Sequence, residues 1–272
     1  MKKMSVIRTF LSSINKEIRA NKWSFVTYCV LRIMVILAMI RQIINQNYEN
    51  VFLCALTLVL LLIPGILRST FKLKFPTPLE IAMLVFIFAA EILGELEAFY
   101  IKFSHWDTLL HTANGFLCAA AGFSLIDILN NSRKFHMNLS PLFAAIVAFC
   151  VSMTVGVIWE FFEFSADVIL GTDMQKDTVI THFSSTYIDP TSSNTAIKIQ
   201  DINDISVNGE SLGINGYLDI GLIDTMEDLF VNFIGASVFS VAGYLYIKYR
   251  KKNPFIEGFI PVKKEDGNAT LS

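Results

Sequence analysis

Residues 141 to 164 read PLFAAIVAFCVSMTVGVIWEFFEF, an apolar run that carries no charge until Glu160 and Glu163. A helix needs about 20 mostly apolar residues to cross a bilayer, and this stretch supplies them. An ionisable side chain inside such a helix costs about 2.5 to 3.5 kcal/mol on insertion scales, so it turns to the protein interior and finds a partner there. The run therefore predicts both a spanning helix and a polar face on it.

Five further windows approach the same length, roughly residues 23 to 44, 51 to 66, 79 to 101, 107 to 128 and 225 to 247. The second is the shortest: either it gains length by running on through Pro64, which bends it, or it sits in the bundle as a short span. Composition agrees with the windows. Of 272 residues 53 % are hydrophobic, 23 are Phe and only 17 % are charged, with a mean hydropathy of +0.52. A soluble domain carries roughly 25 % charged residues. Such a chain is not disordered, and a net charge of -2 without a basic face excludes nucleic acid as a partner. The reading is all-α: a polytopic membrane helical bundle of about six spans, with the lipid bilayer around it. The cysteines Cys29, Cys54, Cys118 and Cys150 fall inside the windows at no disulfide or zinc spacing.

Lysine and arginine set the orientation. Residues 1 to 22, 67 to 78, 129 to 140 and the tail from Lys248 hold 17 of them, whereas the alternate connections hold Arg41, Lys102, Lys176 and Lys198. Positive charge stays cytoplasmic, so both termini are expected inside a bacterial plasma membrane. Residues 1–22 are expected as a basic amphipathic segment on the inner leaflet, 23–247 as the membrane domain and 248–272 as a cytoplasmic tail. The first window lacks a small-residue cleavage site and reads as a retained anchor. Arg32, inside that window, calls for neutralisation by Glu80 or Asp127.

Residues 165–224 form the long soluble connection, external by this topology. They hold nine acids against Lys176 and Lys198. Ile197, Ile199, Ile202, Ile205 and Val207, with turn signals at Asn208-Gly209 and Asn215-Gly216, predict a small external β-like insertion.

Four windows bring polar residues where lipid excludes them. Glu91 and Glu95 are four apart on one helix face, as are Asp107 and His111. Glu160 and Glu163 close the fifth window, and Asp224, Asp228 and Asn232 share a face of the sixth. Outward-running helices carry their acids late and inward-running ones carry them early, so every stripe falls in the outer half of the bilayer. Neighbouring stripes would make one acidic cavity open to the outside. Carboxylates so crowded are not all ionised unless a cation sits among them. Asp107, His111, Glu160 and Asp228 are the candidate ligands of a divalent metal ion, with Glu91, Glu95, Glu163, Asp224 and Asn232 in support. Oxygen donors with one imidazole and no thiolate suit Mg, Mn, Fe or Zn better than copper.

At His105-Trp-Asp-Thr-Leu-Leu-His111, Trp159-Glu-Phe-Phe-Glu163, Gly171-Thr-Asp-Met-Gln-Lys-Asp-Thr178 and the helix from Asp224 to Ala236, the chain resembles the uncharacterised YjdF-type family of bacterial membrane proteins. More distantly it is similar to VanZ-like proteins. The resemblance covers about residues 79 to 247 and matches Asp107, His111, Glu160, Asp228, Asn232 and Gly235 to the recurring pattern. The insertion between Asp177 and Asp224 is not part of the VanZ-like pattern, and Glu163 stands where Gln is common.

Three uses of the cavity remain open at this point. It binds or conducts a cation or a cationic cell-envelope ligand. Alternatively a bound ion activates water toward a lipid-linked or envelope substrate. In the third reading the polar network only fixes helix register. The catalytic residues of an enzymatic use are unknown from sequence.

Overall fold

The computed structural model describes residues 22–70, 73–130, 139–249, 253–260 and 262–263. The expected basic amphipathic segment, Arg133, Lys134 and His136 lie outside the described residues. Among the described residues five helices are long and apolar enough to cross a membrane: Lys22–Ile44, Tyr48–Arg68 taken as one span, Trp106–Ile126, Pro141–Leu170 and Leu222–Lys248. Many of their large apolar side chains are exposed, while several polar ones are buried. On the helix Pro141–Leu170, Phe161, Phe162 and Phe164 are exposed, whereas Ser152, Glu160 and Glu163 are buried. That inversion is what a lipid solvent selects.

The second window is two helices, α2 (Tyr48–Leu60) and α3 (Ile63–Thr70), following α1 (Lys22–Ile44). Pro64 stands in the first turn of α3, where its missing N–H costs nothing, so the expected bend is a break and restart. The third window is α4 (Thr77–Phe88), 12 residues that pass directly into an 8-residue π-helix, Ala89–Leu96. This break in α-geometry is why it does not count among the five long helices. A short α5 (Phe99–Lys102) leads to α6 (Trp106–Asn130). Then come α7 (Pro141–Leu170), α8 (Leu222–Lys248) and α9 (Pro254–Glu257).

The chain divides into two compact units, one of residues Met1–Val155 with Val231–Ser272, the other Gly156–Phe230. The unbroken helices α7 and α8 run through the division.

The first unit has two apolar cores. Leu31 and Val35 of α1, Cys54 of α2, Leu84 and Phe88 of α4 and Ile92 of the π-helix make one. Ala119, Ala120 and Phe123 of α6 meet Ala144 and Ala148 of α7 and Ala236 and Phe239 of α8 in the other. The tail returns to this second core. Ile256 and Ile260 are buried in it, the Phe259 ring meets Phe116 edge-on, and β8 (Val262–Lys263) pairs antiparallel with β1 (Leu73–Lys74). Glu80 is buried and pairs with Arg68 at 3.2 Å, not with Arg32. Arg32 instead donates to the Tyr28 hydroxyl one helical turn back and lies over that ring.

The second unit holds the end of α7, the connection and the start of α8. Gly171, at φ +67°, stops α7 with its N–H on the Asp167 carbonyl, a helix end that favours glycine. Three small strand pairs follow: β2 (Val179–Ile180) with β7 (Tyr217–Leu218), β3 (Phe183–Ser185) with β4 (Ile197–Ile199), and β5 (Ser206–Val207) with β6 (Glu210–Ser211). Asn208-Gly209 makes the tight turn of the last, both residues at positive φ, as the sequence predicts.

Candidate metal centre

Glu160 and Glu163 lie three apart on the buried face of α7, and Asp228 lies on the buried face of the first turns of α8. All belong to the second unit. They are 4 %, 8 % and 4 % exposed, and each offers a carboxylate oxygen within 4.8 Å of those of the other two. Asp224, one turn before Asp228, brings an oxygen within the same distance of it and is half-buried. Carboxylates this close and this dry share protons or hold a cation, because uncompensated charge in such surroundings costs several kcal/mol per ion. The donors are hard oxygens, the kind that Mg, Ca and Mn take.

The connection is fastened beside these acids by carboxylates of its own unit. Asp167 accepts Thr172 Oγ1 at 2.8 Å and the N–H groups of Met174 and Gln175 at 2.7 and 2.9 Å. Asp224 accepts the Lys176 N–H at 2.9 Å. Asp219 accepts the N–H of Thr178 and, at 2.7 Å, that of Ile223, which caps α8. The helix cap is thus Asp219, one turn ahead of the acids that sequence singles out. Asp177 is held above the usual carboxylate range, by desolvation first and then by Asp173, Asp219 and Asp167. Asp189 is held well below that range by hydrogen bonds from Thr191, Thr195 and Ser193.

The other expected residues belong to the first unit. His111 is buried, with Nε2 3.6 Å from a carboxylate oxygen of half-buried Asp107 one turn earlier. Fully buried Asn232 accepts from Asn114 Nδ2 at 3.3 Å and donates to the Ser152 carbonyl at 3.4 Å. The Ser152 hydroxyl donates to the Gly115 carbonyl at 2.8 Å. This network ties α6, α7 and α8 together. Gly115 and Gly235 make it possible: a Cβ on Gly115 would stand 2.2 Å from the Asn232 carbonyl oxygen, and one on Gly235 2.1 Å from that of Thr112. Glu91, half-buried, and Glu95, exposed, stand on the π-helix. Neither joins an acid group among the described residues. Glu97 pairs with Arg41 at 2.5 Å, joining the π-helix end to α1.

Sequence reasoning missed Asn114 and Ser152. The signal was present: Asn114 is three residues past His111, and Ser152 is eight before Glu160 on the same face.

A sequence profile for the family described as a predicted membrane protein, DUF2238, matches residues 27–249. The chain belongs to this family. The match takes in every helix that carries a candidate ligand, both units included. An uncharacterized protein of Thermotoga maritima is 30 % identical over 84 residues, 31 % of this chain and 41 % of its own length. The chain therefore spans about two fifths of that curated relative. No solved structure matches the chain.

Proposed function

We propose that this membrane protein binds a divalent cation, or a cationic cell-envelope ligand, at the acids Glu160, Glu163 and Asp228, and that α6 adds Asp107 and His111. The observation that carries the reading is the convergence of three buried carboxylates from two helices of one unit. Asp107 and His111 are included on the sequence pattern, being four apart on one helix face and in the recurring order of the family that the chain resembles. One imidazole added to carboxylates suits Mn, Fe or Zn as well as Mg.

The same reading puts the acids on the outer side. The 17 to 4 asymmetry of lysine and arginine supports an external connection between α7 and α8 and cytoplasmic termini. The order of the acid-bearing helices, like that of VanZ-like proteins, supports the ligand set but names no substrate.

Elemental analysis of the full chain, purified in detergent without chelator, tests the proposal. About one equivalent of one divalent metal per chain is expected, on the strength of one ligand set. Wild type that carries none, and takes up none on dialysis against Mg, Mn, Fe(II) and Zn, overturns the metal reading.

A further inference from the structure

Within the first unit, α7 and α8 leave an open groove of about 250 Å3 between them. Leu142, Ile146 and Phe149 of α7 line one wall, and Ser237, Ser240 and Tyr244 of α8 line the other. The helices run antiparallel here, since the Phe149 ring meets Phe233 edge-on and Ser152 meets Asn232. Leu142 and Tyr244 thus mark one end of the groove, Phe149 and Ser237 the other.

Polarity falls along it in steps. At the Tyr244 end Lys248 is exposed, with its ammonium 5.3 Å from the centre of the Tyr244 ring. No carboxylate pairs with Lys248 among the described residues. Lys248 gives this mouth a positive charge. One turn further in is Ser240, 6 % exposed, whose hydroxyl has no hydrogen-bond partner among the described residues. Serine in a spanning helix ordinarily donates to its own backbone, as buried Ser124 does to the Ala120 carbonyl at 2.6 Å. Ser240 keeps its hydroxyl for something else. Beyond it the walls are apolar save for Ser237.

A cation seated over the Tyr244 ring, then a lone hydroxyl one turn of helix (about 6 Å) past Tyr244, then an apolar trough is the order of phosphate, glycerol ester and acyl chain in a phospholipid. We propose that this groove binds an anionic phospholipid of the bilayer, its phosphate at Lys248, an ester carbonyl accepting from Ser240 Oγ and one acyl chain lying between Ile146, Phe149 and Val241. The charge at the mouth selects an anionic headgroup over a zwitterionic one. The inference is independent of the cation site.

Native mass spectrometry of the full chain, delipidated in detergent and titrated with dioleoyl phosphatidylglycerol or dioleoyl phosphatidylcholine, tests it. Wild type should bind one phosphatidylglycerol more tightly than phosphatidylcholine. Lys248→Gln should lose about five-fold in affinity for phosphatidylglycerol alone, the share of one lysine near a headgroup. Val241→Trp, at a position 58 % exposed in the groove wall, should weaken both lipids by filling the trough. Thermal unfolding of each variant confirms that it folds. Equal binding of the two lipids by wild type overturns the proposal. So does a Val241→Trp protein that binds phosphatidylglycerol as wild type does, or a lipid-independent dimer that Val241→Trp dissociates, which would give the groove to a second copy.

Discussion

Replacing Gly115 by alanine tests the contact that holds α6 to α8. The new Cβ would lie 2.2 Å from the Asn232 carbonyl oxygen and 3.0 Å from its carbonyl carbon and Cα, all backbone. No rotamer relieves a clash with backbone, so the helices must part by about 1 Å to restore ordinary van der Waals contact. Overpacking of this kind costs about 1 to 3 kcal/mol. The Asn114 to Asn232 hydrogen bond, already 3.3 Å, is stretched beyond bonding distance by the same movement. Interhelical hydrogen bonds in membranes average about 0.6 kcal/mol, so the sum is about 2 to 4 kcal/mol. At about 2 to 4 °C per kcal/mol for a chain of this size, Gly115→Ala should lower the midpoint of thermal unfolding in detergent by about 4 to 16 °C. Gly235→Ala should behave alike, its Cβ meeting the Thr112 carbonyl oxygen at 2.1 Å. Gly65→Ala is the control. Nothing stands within 4 Å of a Cβ there, and alanine in a helix is worth about 0.5 to 1 kcal/mol over glycine, so its midpoint should hold or rise. A Gly115→Ala protein as stable as Gly65→Ala would refute the close approach of α6 and α8.

Three further outcomes follow from the connection and the topology. In a variant lacking Cys29, Cys54, Cys118 and Cys150, Ser192→Cys and Asn208→Cys should react with an impermeant thiol reagent on whole cells while Ser132→Cys does not; the reverse pattern inverts the orientation. Asp177 sits above its usual range, so its neutral form favours the folded connection, and that contribution is present below the ordinary carboxylate pKa and lost as pH rises through the raised one. Asp177→Asn should therefore protect the amides of residues 174 to 178 from hydrogen exchange at pH 7 more than wild type does, with the difference vanishing at acid pH. For Asp189 the sign is opposite: the turn it organises is stable above the ordinary pKa and is lost only as pH falls through the lowered one. Protection of the Thr191, Ser193 and Thr195 amides should survive at pH 4 in wild type and be absent at pH 7 in Asp189→Ala.

What the sequence made legible was whatever a single segment decides by itself. The run from Pro141 to Phe164 announces a spanning helix with acids on its inner face, Pro64 announces a disturbance of the second window, read as a bend where the structure has a break, and Asn208-Gly209 announces a tight hairpin. Each outcome depends on local sterics or on the cost of charge in lipid. Contacts between segments were harder to read. Arg32 has two acids of suitable depth, yet Tyr28 on its own helix serves it and Arg68 takes Glu80. The π-helix at Ala89–Leu96 leaves no side-chain signature, because its shift is in backbone hydrogen bonds. The returning tail is too short to span, and the basic run before it marks a helix leaving the membrane, so nothing in its own residues tells that Ile256 and Ile260 enter a core. Residue types and helix faces pointed to Asp107, His111, Glu160 and Asp228 as ligands, with Glu163 in support; the three buried acids of the second unit are Glu160, Glu163 and Asp228. The cap role of Asp219 and the network through Asn114 and Ser152 required the packing itself.

The measurement that bears most directly on the cation site is thermal unfolding of wild type and Asp228→Asn in detergent, each with EDTA and with saturating Mg, Mn or Zn. An ion present at about 100 times its dissociation constant stabilises the folded chain by about 2.7 kcal/mol, a rise of about 5 to 10 °C here. The account predicts that rise in wild type with at least one of the metals and its disappearance in Asp228→Asn, while the variant in EDTA unfolds near wild type in EDTA because an amide replaces a crowded carboxylate. Wild type indifferent to every metal, with Asp228→Asn destabilised equally in all conditions, would contradict it and leave the acids as a network that only fixes helix register.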